Sequence, residues 1–177
     1  MKTVVVTEGE SDILLLKALL GEASATAEFV KAGGWSGADS LARSYLVDGQ
    51  HDVVLIVDAD SYDPQRVEER KRFLTHSLAS VALRTRWQVC VIAPEIEVLL
   101  FKDRPLLEAL LDQPISEATF QQGQFEPKKV LMRLLAGQSR TQLFRERLPK
   151  FDLTTLQNQT EIENLRRFLR GTLKKAA

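Results

Sequence analysis

The chain predicts an α/β fold: a four-stranded parallel sheet flanked by helices, with a helical extension at its C-terminal end. Four short apolar runs carry the first part of this reading, Thr3–Thr7, Ala27–Ala32, Val53–Val57 and Trp87–Ile92. Near-continuous apolar strands suit a sheet covered on both faces. Between them lie segments of helical spacing, and a β-α-β-α alternation demands crossovers that place helices on those faces. Beyond Phe101 no strand-like run remains, which predicts helices only.

Each element follows from local chemistry. After the first run, Ile13, Leu16, Leu19 and Leu20 recur at helical spacing and Gly21 stops the helix, so 10–20 reads as helical. Gly33-Gly34 ends the second strand, and a helix over about 37–47 leads to the third. Pro64 opens a long charged helix to about residue 83, since proline favours the first helical turn. Pro94 is expected to start another helix after the fourth strand. Helices are also expected over 106–111, 127–135, 141–148 and 161–173, with loops at 113–124 and 149–159. The division predicted is a sheet domain over residues 1–103 and a helical, basic extension over 104–177 packed on it.

Composition narrows the function. At 177 residues and 44% hydrophobic, the chain suits a globular domain with its own core. No apolar stretch approaches the roughly 20 residues that span a bilayer. The first residues lack the basic region and apolar core of a secretory leader. A lone cysteine, Cys90, allows neither an internal disulfide nor a cysteine metal site. A cytoplasmic location is expected. The net charge of zero hides an asymmetry: residues 1–127 carry 12 Lys+Arg against 20 Asp+Glu, residues 128–177 carry 12 against 4. A basic C-terminal part suits a polyanionic partner such as nucleic acid, with Arg166, Arg167, Arg170, Lys174 and Lys175 as candidate phosphate contacts. The same residues also read as the solvated face of a last helix whose Ile162, Leu165, Phe168 and Leu169 form an apolar stripe.

The acidic residues are the most informative feature. Three clusters sit where strands hand over to helices: Glu8-Gly9-x-x-Asp12, Asp58-x-Asp60, and Glu95 with Glu97. In an open parallel sheet, ligands collect at the carboxyl ends of strands. Carboxylates gathered there repel one another unless a cation lies between them, and oxygen ligands suit a hard ion such as Mg²⁺ or Mn²⁺.

The motifs Val6-Thr-Glu8-Gly9-Glu-Ser-Asp12 and Val57-Asp58-Ala-Asp60, with a glycine turn at Gly33-Gly34, resemble the TOPRIM domain over roughly residues 1–101. Together with Ile96-Glu97-Val-Leu-Leu they look most like the OLD-family nuclease branch. The resemblance implies Glu8 as metal ligand and acid/base group, and Asp12, Asp58, Asp60 and Glu97 as further ligands of one or two Mg²⁺ or Mn²⁺ ions. It implies hydrolysis of phosphodiester bonds in DNA, or RNA, by a two-metal mechanism. Glu95 competes with Glu97 for the third acidic position. A lysine is expected after the acidic motifs, with Lys128 the candidate and Lys129 or Lys150 as alternatives. OLD proteins join an ATPase to their nuclease domain. No Gly-x-x-x-x-Gly-Lys-Ser/Thr occurs here, so a stand-alone nuclease or a separate ATPase subunit is expected.

Other patterns fit less well. Asp58 to Glu69 echoes a calcium loop, but Asp63 stands where that loop needs glycine. A haloacid-dehalogenase-like phosphatase, with Asp58 as nucleophile, and a non-catalytic TOPRIM mediator that binds nucleic acid without cutting it remain the alternatives. His51 and His76, the two histidines, lie near no acidic cluster in the sequence.

Overall fold

The structure, a computed structural model, describes residues 1–173, with side chains through residue 171. Its centre is a parallel sheet of β1 (Lys2–Thr7), β2 (Ala27–Lys31), β3 (His51–Asp58) and β4 (Trp87–Ile92), in the order β2-β1-β3-β4. Val6 pairs with Leu55 and Asp58 with Ile92, so the carboxyl ends of the strands share one edge. From β1 the chain crosses to one side to make β2 and then returns past β1 to make β3. The crevice between β1 and β3 is therefore the topological switch point, where open α/β sheets bind ligands.

Strand alternation divides the core in two. Val4, Val6, Val53, Leu55 and Val57 face α2 (Trp35–Asp48) and α3 (Pro64–Ala79), meeting Ala38, Ala42, Leu46, Leu74 and Leu78. On the other face, Val5, Val54 and Ile56 pack with α1 (Glu10–Leu20) through Leu15, Leu16 and Leu19. That second core continues into residues far along the chain, among them Leu107, Leu131, Phe144, Leu156 and Leu165. Fully burying a leucine stabilises by roughly 1.5–3 kcal/mol, so the C-terminal helices are held on the sheet by a shared core.

Those helices are α4 (Arg104–Leu111), α5 (Glu117–Gly123), α6 (Pro127–Leu134), α7 (Arg140–Arg147), α8 (Thr154–Gln157) and α9 (Thr160–Leu173). Two of them, α5 and α8, lie inside segments expected as loops. The Ser116 side chain caps α5 by accepting from Thr119 N, and Gly123 lets the Phe101 ring pack against its backbone. Pro94 does not start a helix. Its peptide bond to Ala93 is cis, and a 3-10 helix over Ile96–Lys102 begins after Glu95. The charged helix α3 ends at Ala79, earlier than its expected end near residue 83. Among the described residues no helix is long and apolar enough to cross a membrane.

The basic face of α9 is partly spent inside the protein. Ile162, Leu165 and Leu169 are buried, in keeping with the apolar stripe. Arg166, however, donates to the carbonyls of Leu19 (2.8 Å), Leu20 (3.4 Å) and Gln157 (3.1 Å), closing the C-terminal end of α1. Arg167 meets Asn164 on its own helix. Lys174 and Lys175 lie outside the described residues. Hydrogen bonds to a charged group contribute about 1.5–3 kcal/mol. Arg166→Gln should therefore lower the unfolding free energy in urea by about that amount, while Arg167→Gln should stay within about 0.5 kcal/mol of the parent. Equal stability of the two variants would remove Arg166 from this bridging role.

Candidate metal centre

The carboxyl end of β1 delivers Glu8, and the end of β3 delivers Asp58. Glu8 Oε1 accepts from the backbone N of Asp58 at 2.9 Å, which locks the two strand ends together across the switch-point crevice. Asp58 Oδ1 accepts in turn from Ile96 N at 2.8 Å, so the chain leaving β4 fixes its side chain. Asp12 sits in the first turn of α1 and caps that helix by accepting from Gly9 N at 2.8 Å. Oε2 of Glu8 and Oδ2 of Asp58 meet no hydrogen-bond donor among the described residues.

Asp60 is placed differently from what strand alternation predicts. The strand stops at Asp58, and Asp60 adopts a left-handed conformation (φ 52°), which Asp tolerates better than most residues. Its backbone N donates to Pro94 O, and its carboxylate receives Arg70 Nη1 at 2.6 Å. The same guanidinium nitrogen also donates to Asp58 O at 2.8 Å. Arg70 thus ties the two ends of the Asp-x-Asp motif. Arg70 carries no motif signal of its own in the sequence, and its contact joins residues ten apart in the chain.

The third cluster separates into two roles. Glu95 Oε2 accepts from the backbone N of Lys128 at 3.0 Å, joining the loop after β4 to the start of α6. Glu97 is 1% exposed and ion-paired with Arg140, and its Oε2 is buried with no hydrogen-bond partner. Arg140 carries no motif in the sequence. Its role becomes visible only in the fold, where the start of α7 brings it to Glu97, 43 positions away in the chain.

Burial and mutual repulsion shape the charges. Burial pushes the Asp58 carboxyl up to about 7. The Ile96 N–H opposes this, the charges of Asp12 and Glu8 add to it, and Lys128 offsets part. Glu8 is raised as well, first by burial, against the Asp58 N–H bond, and then by Asp60 and Asp12, with Lys128 again opposing. Glu8, Asp12, Asp58, Asp60 and Lys128 therefore share one electrostatic neighbourhood. Lys129 turns instead to Glu126, at 2.9 Å. The Cys90 thiol is pushed up to about 12 by burial, which leaves it un-ionised near neutral pH and a poor nucleophile.

Among the described residues no three His, Cys, Asp or Glu side chains stand close enough to coordinate one ion in this arrangement. The donor chemistry nevertheless fits a hard divalent cation. The donors are all carboxylate oxygens, free oxygens remain on Glu8 and Asp58, and an orphaned buried oxygen remains on Glu97.

No family model matches the chain, and no curated protein matches it. Among solved structures the chain is similar to the C-terminal region of the Burkholderia pseudomallei OLD protein. The TM-score is 0.64 at 14% sequence identity, covering 97% of this chain and 98% of that one. The fold is thus OLD-like, and the likeness extends through the helical C-terminal part.

The rise of Asp58 from 3.8 to about 7 corresponds to roughly 4 kcal/mol against its charged form. The unfolded chain ionises Asp58 near pH 4, whereas the folded one resists until about pH 7. Its contribution to stability is therefore full below pH 4 and is lost as pH rises through 7. Asp58→Asn keeps an oxygen for the Ile96 N–H and carries no charge. In EDTA this variant should be more stable than the parent at pH 8, by up to a few kcal/mol, with the gap closing towards pH 4. Urea denaturation at both pH values reads it. A parent that outlasts the variant more at pH 8 than at pH 4 would contradict the assignment.

Proposed function

We propose that the chain is a metal-dependent nuclease that hydrolyses phosphodiester bonds of DNA, with Mg²⁺ or Mn²⁺ held by Glu8, Asp12, Asp58 and Asp60. The observation that carries this reading is Asp58, buried at the switch-point crevice and raised to about 7 beside two further carboxylates. The OLD-like fold and the motif resemblance support it. Glu97 is the further ligand that the motif resemblance implies, and its Oε2 is buried with no hydrogen-bond partner. When bound, the cation supplies Lewis-acid polarisation of a phosphoryl oxygen.

The chain's own residues supply the rest. Glu8, with its raised affinity for a proton and a free Oε2, takes the proton of the attacking water. Ile96 N–H and Arg70 orient Asp58 and Asp60, and the side chains draw together when the cation is taken up. Lys128 places a positive charge beside Glu8 and Asp58, where it offsets the negative charge developing on the phosphoryl oxygens. An ATPase partner belongs to the same proposal and rests on the motif resemblance to OLD proteins, which join an ATPase to their nuclease domain.

Nicking of supercoiled plasmid in Mg²⁺ or Mn²⁺ tests the reading. The parent should nick and EDTA should stop it. Asp58→Ala should abolish the reaction, and Lys128→Ala should slow it by about 10²-fold, as loss of one electrostatic stabiliser does. Unchanged nicking by Asp58→Ala would refute the site. Plasmid binding without cutting would mark the chain as a mediator.

A further inference from the structure

Cation uptake requires movement, since among the described residues no three carboxylates stand close enough to share an ion. The four carboxylates of the proposed set are not equally free to move. Glu8 accepts from Asp58 N, Asp58 from Ile96 N and Asp12 from Gly9 N, so each has one oxygen fixed to the backbone. Asp60 differs. Its carboxylate is half exposed, and among the described residues Arg70 is the one donor that meets it. An ion pair with a half-exposed partner is cheaply broken. The Glu97–Arg140 pair is not, because Glu97 is buried and parting the two leaves its charge uncompensated.

We propose that Arg70 is a placeholder for the cation: its guanidinium neutralises Asp60 in the metal-free chain, and uptake of Mg²⁺ or Mn²⁺ exchanges one positive partner for the other. This rests on the metal-site reading. Arg70 does not depend on Asp60 for its place. The nitrogen that reaches Asp60 also donates to Asp58 O at 2.8 Å, and the guanidinium lies over the Trp35 ring at 5.3 Å. Trp35 in turn meets Phe73 of α3 edge to face at 6.1 Å. When Asp60 leaves, the arginine keeps a carbonyl and an aromatic face. The charge of Asp60 already acts on Glu8, in the neighbourhood of the ion's other ligands. The exchange gives Arg70 a sign that a supporting residue lacks. A support strengthens ion binding, whereas a placeholder weakens it, because the ion must part it from Asp60 and then sit near a like charge.

Calorimetric titration of the full chain with Mn²⁺, alongside urea denaturation in EDTA, tests this. Arg70→Gln keeps an N–H for the Asp58 carbonyl and loses the charge. It should bind Mn²⁺ about 3-fold more tightly than the parent, the scale of one part-exposed ion pair. In EDTA the same variant should unfold at lower urea. Arg70→Lys, which keeps the charge, should bind Mn²⁺ as the parent does. With Asp60→Asn in place no ion pair is left to break, and Arg70→Gln should then gain less affinity than it does in the parent. Weaker or unchanged Mn²⁺ binding by Arg70→Gln, undiminished stability in EDTA, or an equal gain with and without Asp60 would overturn the proposal. If the parent binds Mn²⁺ in that event, the metal-site reading stands and only the exchange falls. A parent that binds no Mn²⁺ would remove the metal-site reading and the exchange together.

Discussion

Burial of Glu8 and Asp58 at one sheet edge, with the charge of Asp12 added to it, is the constraint around which the rest of the molecule is arranged. The parallel register of β1 and β3 brings the strand ends to one edge, and the Glu8–Asp58 backbone bond pins them there. Desolvation then works against ionisation of both Glu8 and Asp58. A fold gains nothing from such an arrangement by itself, because buried like charges cost stability. The cost is recovered when a cation or a proton is taken up, and perturbed carboxyls in a crevice are therefore a mark of function.

The charge asymmetry between the two halves of the chain is partly spent inside the molecule. Arg140 neutralises Glu97, Arg145 reaches Glu10 at 2.5 Å, and Arg166 closes the end of α1. Lys128 lends its charge to Glu8 and Asp58. Basic residues of the C-terminal helices thus complement acidic and carbonyl groups of the sheet region. Because the helices also share the second core with Val5, Val54 and Ile56, they set the electrostatics of the crevice as well as covering the sheet.

The β/α order, all four strands and the long helices were legible because apolar periodicity is a local property. Glu10–Leu20 and Trp87–Ile92 match the expected bounds. The short helices α5 and α8 were not legible, since one to two turns with a single apolar contact leave no period to read. The acidic positions could be found from their place after apolar runs. Their detailed geometry could not: Asp60 departs from strand alternation because of a single left-handed residue, and Glu97 is tied to a residue 43 positions away. The lysine alternatives were equally open in sequence, and only packing sets Lys128 beside the carboxylates and turns Lys129 to Glu126.

The central claim, that the crevice carboxylates form a cation site, is tested most directly by proton release. Mn²⁺ binding measured calorimetrically in two buffers of different ionisation enthalpy reports the protons displaced per ion. With Asp58 near 7, binding should release protons at pH 6–7 and cease to do so near pH 9, where the carboxyl is already ionised. Asp58→Asn should abolish the release. Absence of Mn²⁺ binding, or binding with no proton release at any pH, would contradict the account.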